Sequence, residues 1–142
     1  MGVMKSMSAL EALYRAIARQ LRAPERRVHF FTTPQHDGSA HVEIVNDQLA
    51  YVVTERGEEL ERRTTGDPDE LLYWLVSDLT WALASDYELS HRLESQDFRR
   101  LLFGMHLELL AEVDCAWSER KRREYLRVLA EHPFSDRGER TI

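Results

Sequence analysis

The stretch from Gly66 to Asp114 limits the fold more than any other, because its apolar spacing commits it to two long helices in succession. It opens Gly66-Asp67-Pro68-Asp69-Glu70. Asp67 is suited to cap a helix, Pro68 to take the first helical position, and Glu70, three beyond the cap, to return a hydrogen bond. With ~100° between successive residues, Leu72, Leu75, Val76, Leu79 and Leu83 share one face. Trp74, Asp78, Trp81 and Ser85 share the opposite face, with Asp67, Glu70 and Glu88 close to it. A helix with a leucine seam on one side and two tryptophans among carboxylates on the other must bury both sides or offer one to a partner.

Charge sharpens that choice. The net charge is −6, yet residues 66–114 hold eleven acids against three bases, while the rest of the chain holds fourteen acids and sixteen bases. An acidic middle argues against nucleic-acid binding, which needs clustered Lys and Arg to neutralise phosphates. It suits a basic protein partner, whose approach such a field accelerates, and equally a solvated face that keeps the protein soluble. No apolar run approaches the ~20 residues of a membrane span. Lys5, Glu11, Arg15 and Arg19 interrupt the N-terminal apolar positions, so no signal peptide is expected there. The lone Cys115 excludes an internal disulfide and fits a reducing cytoplasm, and its place in a helical pattern reads as packing before reactivity.

The expected fold class is α+β in one domain over 1–142, with 1–7 and 135–142 loose. Ser8 and Glu11 form a capping-box pattern ahead of Leu10, Leu13, Ile17 and Leu21, and Pro24 closes this first helix. Four antiparallel strands follow, at Arg27–Thr32, His41–Val45, Leu49–Thr54 and Glu58–Thr64, with two-residue turns at Asn46-Asp47 and Arg56-Gly57. That register puts Val42, Ile44, Leu49, Tyr51, Val53 and Leu60 inward. His41, Glu43, Gln48, Glu59, Glu61 and Arg63 then face outward, with Arg62 beside Tyr51. Three C-terminal helices pack on this meander: the one opening at Asp67, a second from about Ser90, and a third from Trp117 to His132 with Leu126 and Leu129 inward. The basic run Arg120-Lys121-Arg122-Arg123 is a solvated face, and Glu119 is spaced to pair with Arg123.

Chemistry is sparse. Glu88 and His91 have the Glu-x-x-His spacing of di-iron bundles, but such a site needs a second motif and two more carboxylate helices. The six histidines show no metal-ligand pairing, and no phosphate loop, Cys-x-x-Cys or nucleophile elbow is present. No catalytic residue, metal or cofactor is therefore assigned. Asp86, Arg92, Asp97 and Arg100 cluster near the helix-to-helix corner, either as a polar network that fixes the corner or as part of a recognition surface.

Five segments appear in order along the chain: His41-Val42-Glu43-Ile44, Glu55-Arg56-Gly57-Glu58, Asp69-Glu70-Leu71-Leu72-Tyr73-Trp74, Gln96 to Phe103, and His132-Pro133-Phe134. The set resembles the bacterial immunity protein 63 family, predicted antitoxins of polymorphic toxin systems. The resemblance implies a cytoplasmic α+β protein, made beside a secreted toxin, that binds the toxin's C-terminal domain. It brings no catalytic residues with it. On this reading Asp67, Glu70, Tyr73, Trp74, Asp78 and Trp81 form the partner-binding face, aromatic anchors ringed by charge, unless the tryptophans are core. Two other readings stand beside it: a small metal-dependent or hydrolytic enzyme using Glu88, His91 and Asp97, and a homodimeric scaffold paired through the tryptophan face.

Overall fold

A computed structural model describes residues 7–137. The chain divides into two compact units between Val76 and Ser77, inside a long helix.

The first unit begins with α1 (Met7–Gln20). Ser8 lies within this helix, so the expected capping box does not form, and Glu11 pairs with Arg15 instead. The buried seam is Leu10, Tyr14, Ala18 and Leu21, whereas Leu13 is exposed. α1 ends in a left-handed Arg22 (φ 58°), with Ala23 N–H bonded to Ala18 and Arg22 N–H to Arg19. This satisfies the final carbonyls by the Schellman pattern with arginine where glycine is usual. Pro24 then starts a single 3-10 turn at Glu25–Arg27.

Three strands follow, not four: β1 (Asp37–Val45), β2 (Gln48–Glu55) and β3 (Glu58–Thr65), in the antiparallel order β1-β2-β3. The expected strand at Arg27–Thr32 fails because its first residue is spent in the 3-10 turn and only Phe31 reaches the sheet. It makes one parallel bridge to His41, with Val42 N–H donating to the Phe31 carbonyl at 2.9 Å. Both hairpin turns are two residues long. Asn46, Asp47, Arg56 and Gly57 all have positive φ, the type I′ geometry whose twist matches the strands.

A bulge between Val53 and Thr54 of β2 leaves Leu60 as the extra residue on β3 and moves the register by one. Arg63, not Arg62, therefore lies opposite Tyr51, its guanidinium 4.3 Å from the ring centre. Arg62 turns to the other side, bridging Glu59 at 2.9 Å and Glu43 at 3.2 Å. The sheet is also not one-faced. β2 buries Leu49 and Tyr51 on one side and Ala50, Val52 and Thr54 on the other, and His41, expected outward, is buried beside the latter. Ile44 and Leu60, expected inward, are exposed at a hairpin end and at the bulge.

α2 (Pro68–Ser90) opens as its sequence dictates: Asp67 accepts the Asp69 N–H at 3.0 Å and Pro68 takes the first helical place. The second unit holds the end of this helix, α3 (Phe98–Val113) and α4 (Cys115–Glu131). α3 starts eight residues later than expected, because Asp97 caps it through the Arg99 N–H at 3.0 Å. Asp114 both closes α3 and caps α4, accepting from Ala116 and Trp117, so α4 starts two residues early. Cys115 is accordingly exposed in the first turn of α4 and is no packing residue.

The core of this unit is Ala84, Leu102 and Phe103, with Met105, Leu109, Tyr125, Leu129 and Phe134 packed against it. Leu126, expected inward, is exposed. Glu119 receives Arg122 at 2.7 Å and Arg123 at 3.6 Å, keeping the basic run a paired, solvated face. Residues 135–137 are not loose: Ser135 N–H donates to Asp97, Asp136 pairs with Arg100, and Arg137 N–H donates to Ser95. Met7 is likewise helical, while the expected looseness of 1–6 and 138–142 falls outside the described residues.

Candidate functional site

Asp67, Glu70, Tyr73 and Trp74 belong to the first unit, Asp78 and Trp81 to the second. In the first, Asp67 is exposed and spends one carboxylate oxygen on its own helix cap. Glu70 is half-buried. Tyr73 is 2% exposed, so it packs inside and offers nothing to a partner. Trp74 is half-buried, edge-on to Tyr51 with ring centres 5.9 Å apart, and the Arg63 guanidinium sits 5.2 Å from its ring. A cation over two aromatic faces fixes all three groups, and it lends the exposed rim of Trp74 a positive neighbour.

In the second unit Asp78 is exposed and Trp81 is 42% exposed, a large fraction for an indole. Its inner edge meets His106 at 5.8 Å, with the two rings at 66°. Beneath lies a polar relay that no spacing in the sequence reveals. His106 is buried, with Nε2 2.8 Å from Thr80 Oγ1 and Nδ1 2.5 Å from the Tyr125 hydroxyl. The Thr80 hydroxyl donates to the Ser77 carbonyl, so it accepts from Nε2–H, and Nδ1 is left to accept from Tyr125. Burial, with Lys121 adding a like charge, pushes the imidazole pKa down to about 3. A neutral, doubly bonded histidine thus holds the floor under Trp81. The signal was present only in part, as a histidine at an apolar helical position whose partners come from two other helices.

The corner residues separate. Arg92 pairs with Glu88 through two bonds of 2.8 and 2.7 Å, and this holds the Glu88 carboxyl below its usual range. Asp97 is bound by Arg99 and by the backbone of Ser135, and its carboxyl is pushed far below the normal range, first by Arg99. Asp97 and Arg100 are linked through Asp136, which accepts the Asp97 N–H at 2.7 Å and the Arg100 guanidinium at 3.0 Å. Asp86 lies in the last turn of α2, where its carbonyl accepts the Ser90 hydroxyl.

The residues of the enzymatic reading are each held by other groups. Glu88 belongs to Arg92, Asp97 to the α3 cap, and His91 lies past the end of α2 with its ring stacked on Tyr87 at 4.0 Å. Among the described residues no three His, Cys, Asp or Glu side chains are grouped to hold a metal ion, and no helix is long and apolar enough to cross a membrane.

On the sheet, His41 donates through Nε2–H to the Glu43 carboxylate at 2.7 Å, and its buried Nδ1 has no partner among the described residues. The His41 bond, then Arg62, holds Glu43 below its normal range.

No curated protein and no solved structure matches the chain. The family model for immunity protein 63 does match, over residues 46–127, from the first hairpin turn through most of α4. With more than half its length matched, this chain belongs to the immunity protein 63 family.

Proposed function

We propose that this protein is an antitoxin that binds the toxic C-terminal domain of a secreted bacterial protein and silences it by occlusion in the cytoplasm of the producing cell. Membership of the immunity protein 63 family carries this reading. The physical features agree with it. The outer strip of α2 offers two separate contact points, Trp74 with Glu70 and Asp67 in the first unit and Trp81 with Asp78 in the second. Each has a partly exposed indole with carboxylates within two helical turns, the composition of an interface anchor, though at Trp74 the Arg63 guanidinium shares the site. Their sign favours a basic toxin surface, whose encounter is accelerated by the acidic field.

Of the two, the Trp81 point is better built for tight binding. Its indole stands on a packed, hydrogen-bonded floor, so little rotamer freedom is lost on docking. The homodimeric reading uses the same tryptophans and differs in its readout, a mass that rises with concentration.

Co-expression with the toxin domain encoded beside it tests the role. The antitoxin reading predicts a co-purifying complex and cell survival, and no complex would reject it. Charge reversal tests the contact points one at a time: Asp78→Lys and Glu70→Lys should each weaken the complex by ~10-fold or more. Unchanged affinity in either variant removes that point from the interface.

A further inference from the structure

The corner joining α2 to α3 presents a surface opposite in sign to the α2 strip. Three ion pairs there share one construction, with the carboxylate inside and the guanidinium outside. The Arg92 side chain is 51% exposed against 3% for Glu88, Arg100 39% against 25% for Asp136, and Arg99 20% against 8% for Asp97. Each pair sums to no charge, yet the end that meets solvent is the cationic one. Two of these arginines, Arg92 and Arg99, line a shallow depression of ≈ 420 Å³ together with Leu93 and Phe98. Both apolar side chains are about half exposed.

Held loops make better docking sites than mobile ones, and this rim is held on every side. Gln96 N–H donates to the Leu93 carbonyl, Asp97 N–H to Asp136, Ser135 N–H to Asp97, and Arg137 N–H to the Ser95 carbonyl. Arg92 also lies 5.7 Å from the Phe98 ring centre, so the exposed aromatic and the exposed cation keep each other in place.

We propose that this depression binds a segment of a partner protein in which carboxylates flank an apolar or aromatic side chain. The apolar side chain covers Leu93 and Phe98, and the carboxylates meet the outward edge of Arg92 and its neighbours. Charge selects the place as well as the ligand. Along residues 66–114, where eleven acids face three bases, all three bases are the arginines of this corner, so within that stretch an acidic segment is drawn here. Glu94, also on the rim, opposes such a ligand and tempers its affinity. This site is separate from the α2 contact points, and its test uses no toxin.

The probe is the blocked peptide Glu-Phe-Glu-Leu-Glu, titrated into the isotope-labelled full-length protein and followed by NMR, with Lys-for-Glu and Ser-for-apolar versions beside it. Saturable shifts confined to Leu93, Gln96, Phe98 and the Arg92 Nε–H are expected by ~1 mM peptide. Binding should be ~10-fold weaker for the lysine peptide, ~10-fold weaker in Leu93→Ser, and ~3-fold tighter in Glu94→Gln. Absence of saturable shifts overturns the proposal. So does equal binding of the lysine peptide, which would mean apolar contact alone, or of the serine peptide, which would mean diffuse charge alone.

Discussion

Acidification should loosen the second unit through His106 well before its carboxylates titrate. The imidazole is buried, its two nitrogens are committed to Thr80 and Tyr125, and its pKa is lowered from 6.5 to about 3. In the unfolded chain the same ring takes a proton near pH 6.5, so between these values the unfolded state binds more protons. Stability from this group is then complete above pH 6.5 and is lost as pH falls toward 3. From pH 7.5 to pH 5 the linkage relation gives a loss of about 2 kcal/mol. Urea unfolding followed by circular dichroism, at several pH values in that window, measures it. His106→Gln carries no titrating proton, so its stability should fall by about 2 kcal/mol less than that of the native chain over the same interval. Comparing the two cancels the other histidines. Parallel curves would refute the reasoning, because they would mean that His106 is protonated as readily inside the fold as outside it.

Tyr125→Phe removes the hydroxyl that donates to Nδ1 and should cost ~1–3 kcal/mol by urea unfolding at neutral pH, with no change in secondary structure. Asp97→Ala loses the α3 cap, the Arg99 pair and the Ser135 contact together, and a cost of ~2–3 kcal/mol is expected; Asp97→Ser, which still caps, should recover ~1 kcal/mol. Gly57 sits at φ 83°, so Gly57→Ala should destabilise by ~1 kcal/mol, measurable as a lower thermal midpoint, although nothing crowds the new methyl group. Trp81→Ala should leave the thermal midpoint within a few degrees while weakening toxin binding by ~100-fold, the signature of an exposed anchor.

The hairpins were legible because each turn carries its own chemistry. Asn46-Asp47 and Arg56-Gly57 accept positive φ, and two-residue loops leave one register. The Asp67-Pro68 helix start was equally local. What escaped the sequence depends on distant partners. A strand at Arg27–Thr32 needs a neighbour along its whole length, and only Phe31 finds one. The bulge at Leu60 shifts Arg63 into the place expected for Arg62, and no residue type near it announces that shift. His41 read as outward because alternation assumes one buried face, whereas β2 is covered on both.

At the candidate site the same division holds. Helical spacing set Asp78 and Trp81 on one strip, and both are exposed, whereas Tyr73, added to the contact residues as an aromatic anchor and not by spacing, is buried. The late start of α3 follows from Asp97 taking the cap, and that one choice turns His91 to Gln96 from helix into a corner. The inside-out order of its ion pairs was beyond reach, since charge counting gives only their sum.

Titrating this protein into a fixed amount of its proposed target, an active cognate toxin domain, tests the central claim most directly. The account predicts that toxin activity falls linearly and reaches zero at one equivalent, as a plug that turns over nothing requires, with a dissociation constant of ~1 nM or below. Full protection at a small fraction of an equivalent would contradict it, because only a catalyst protects in that way.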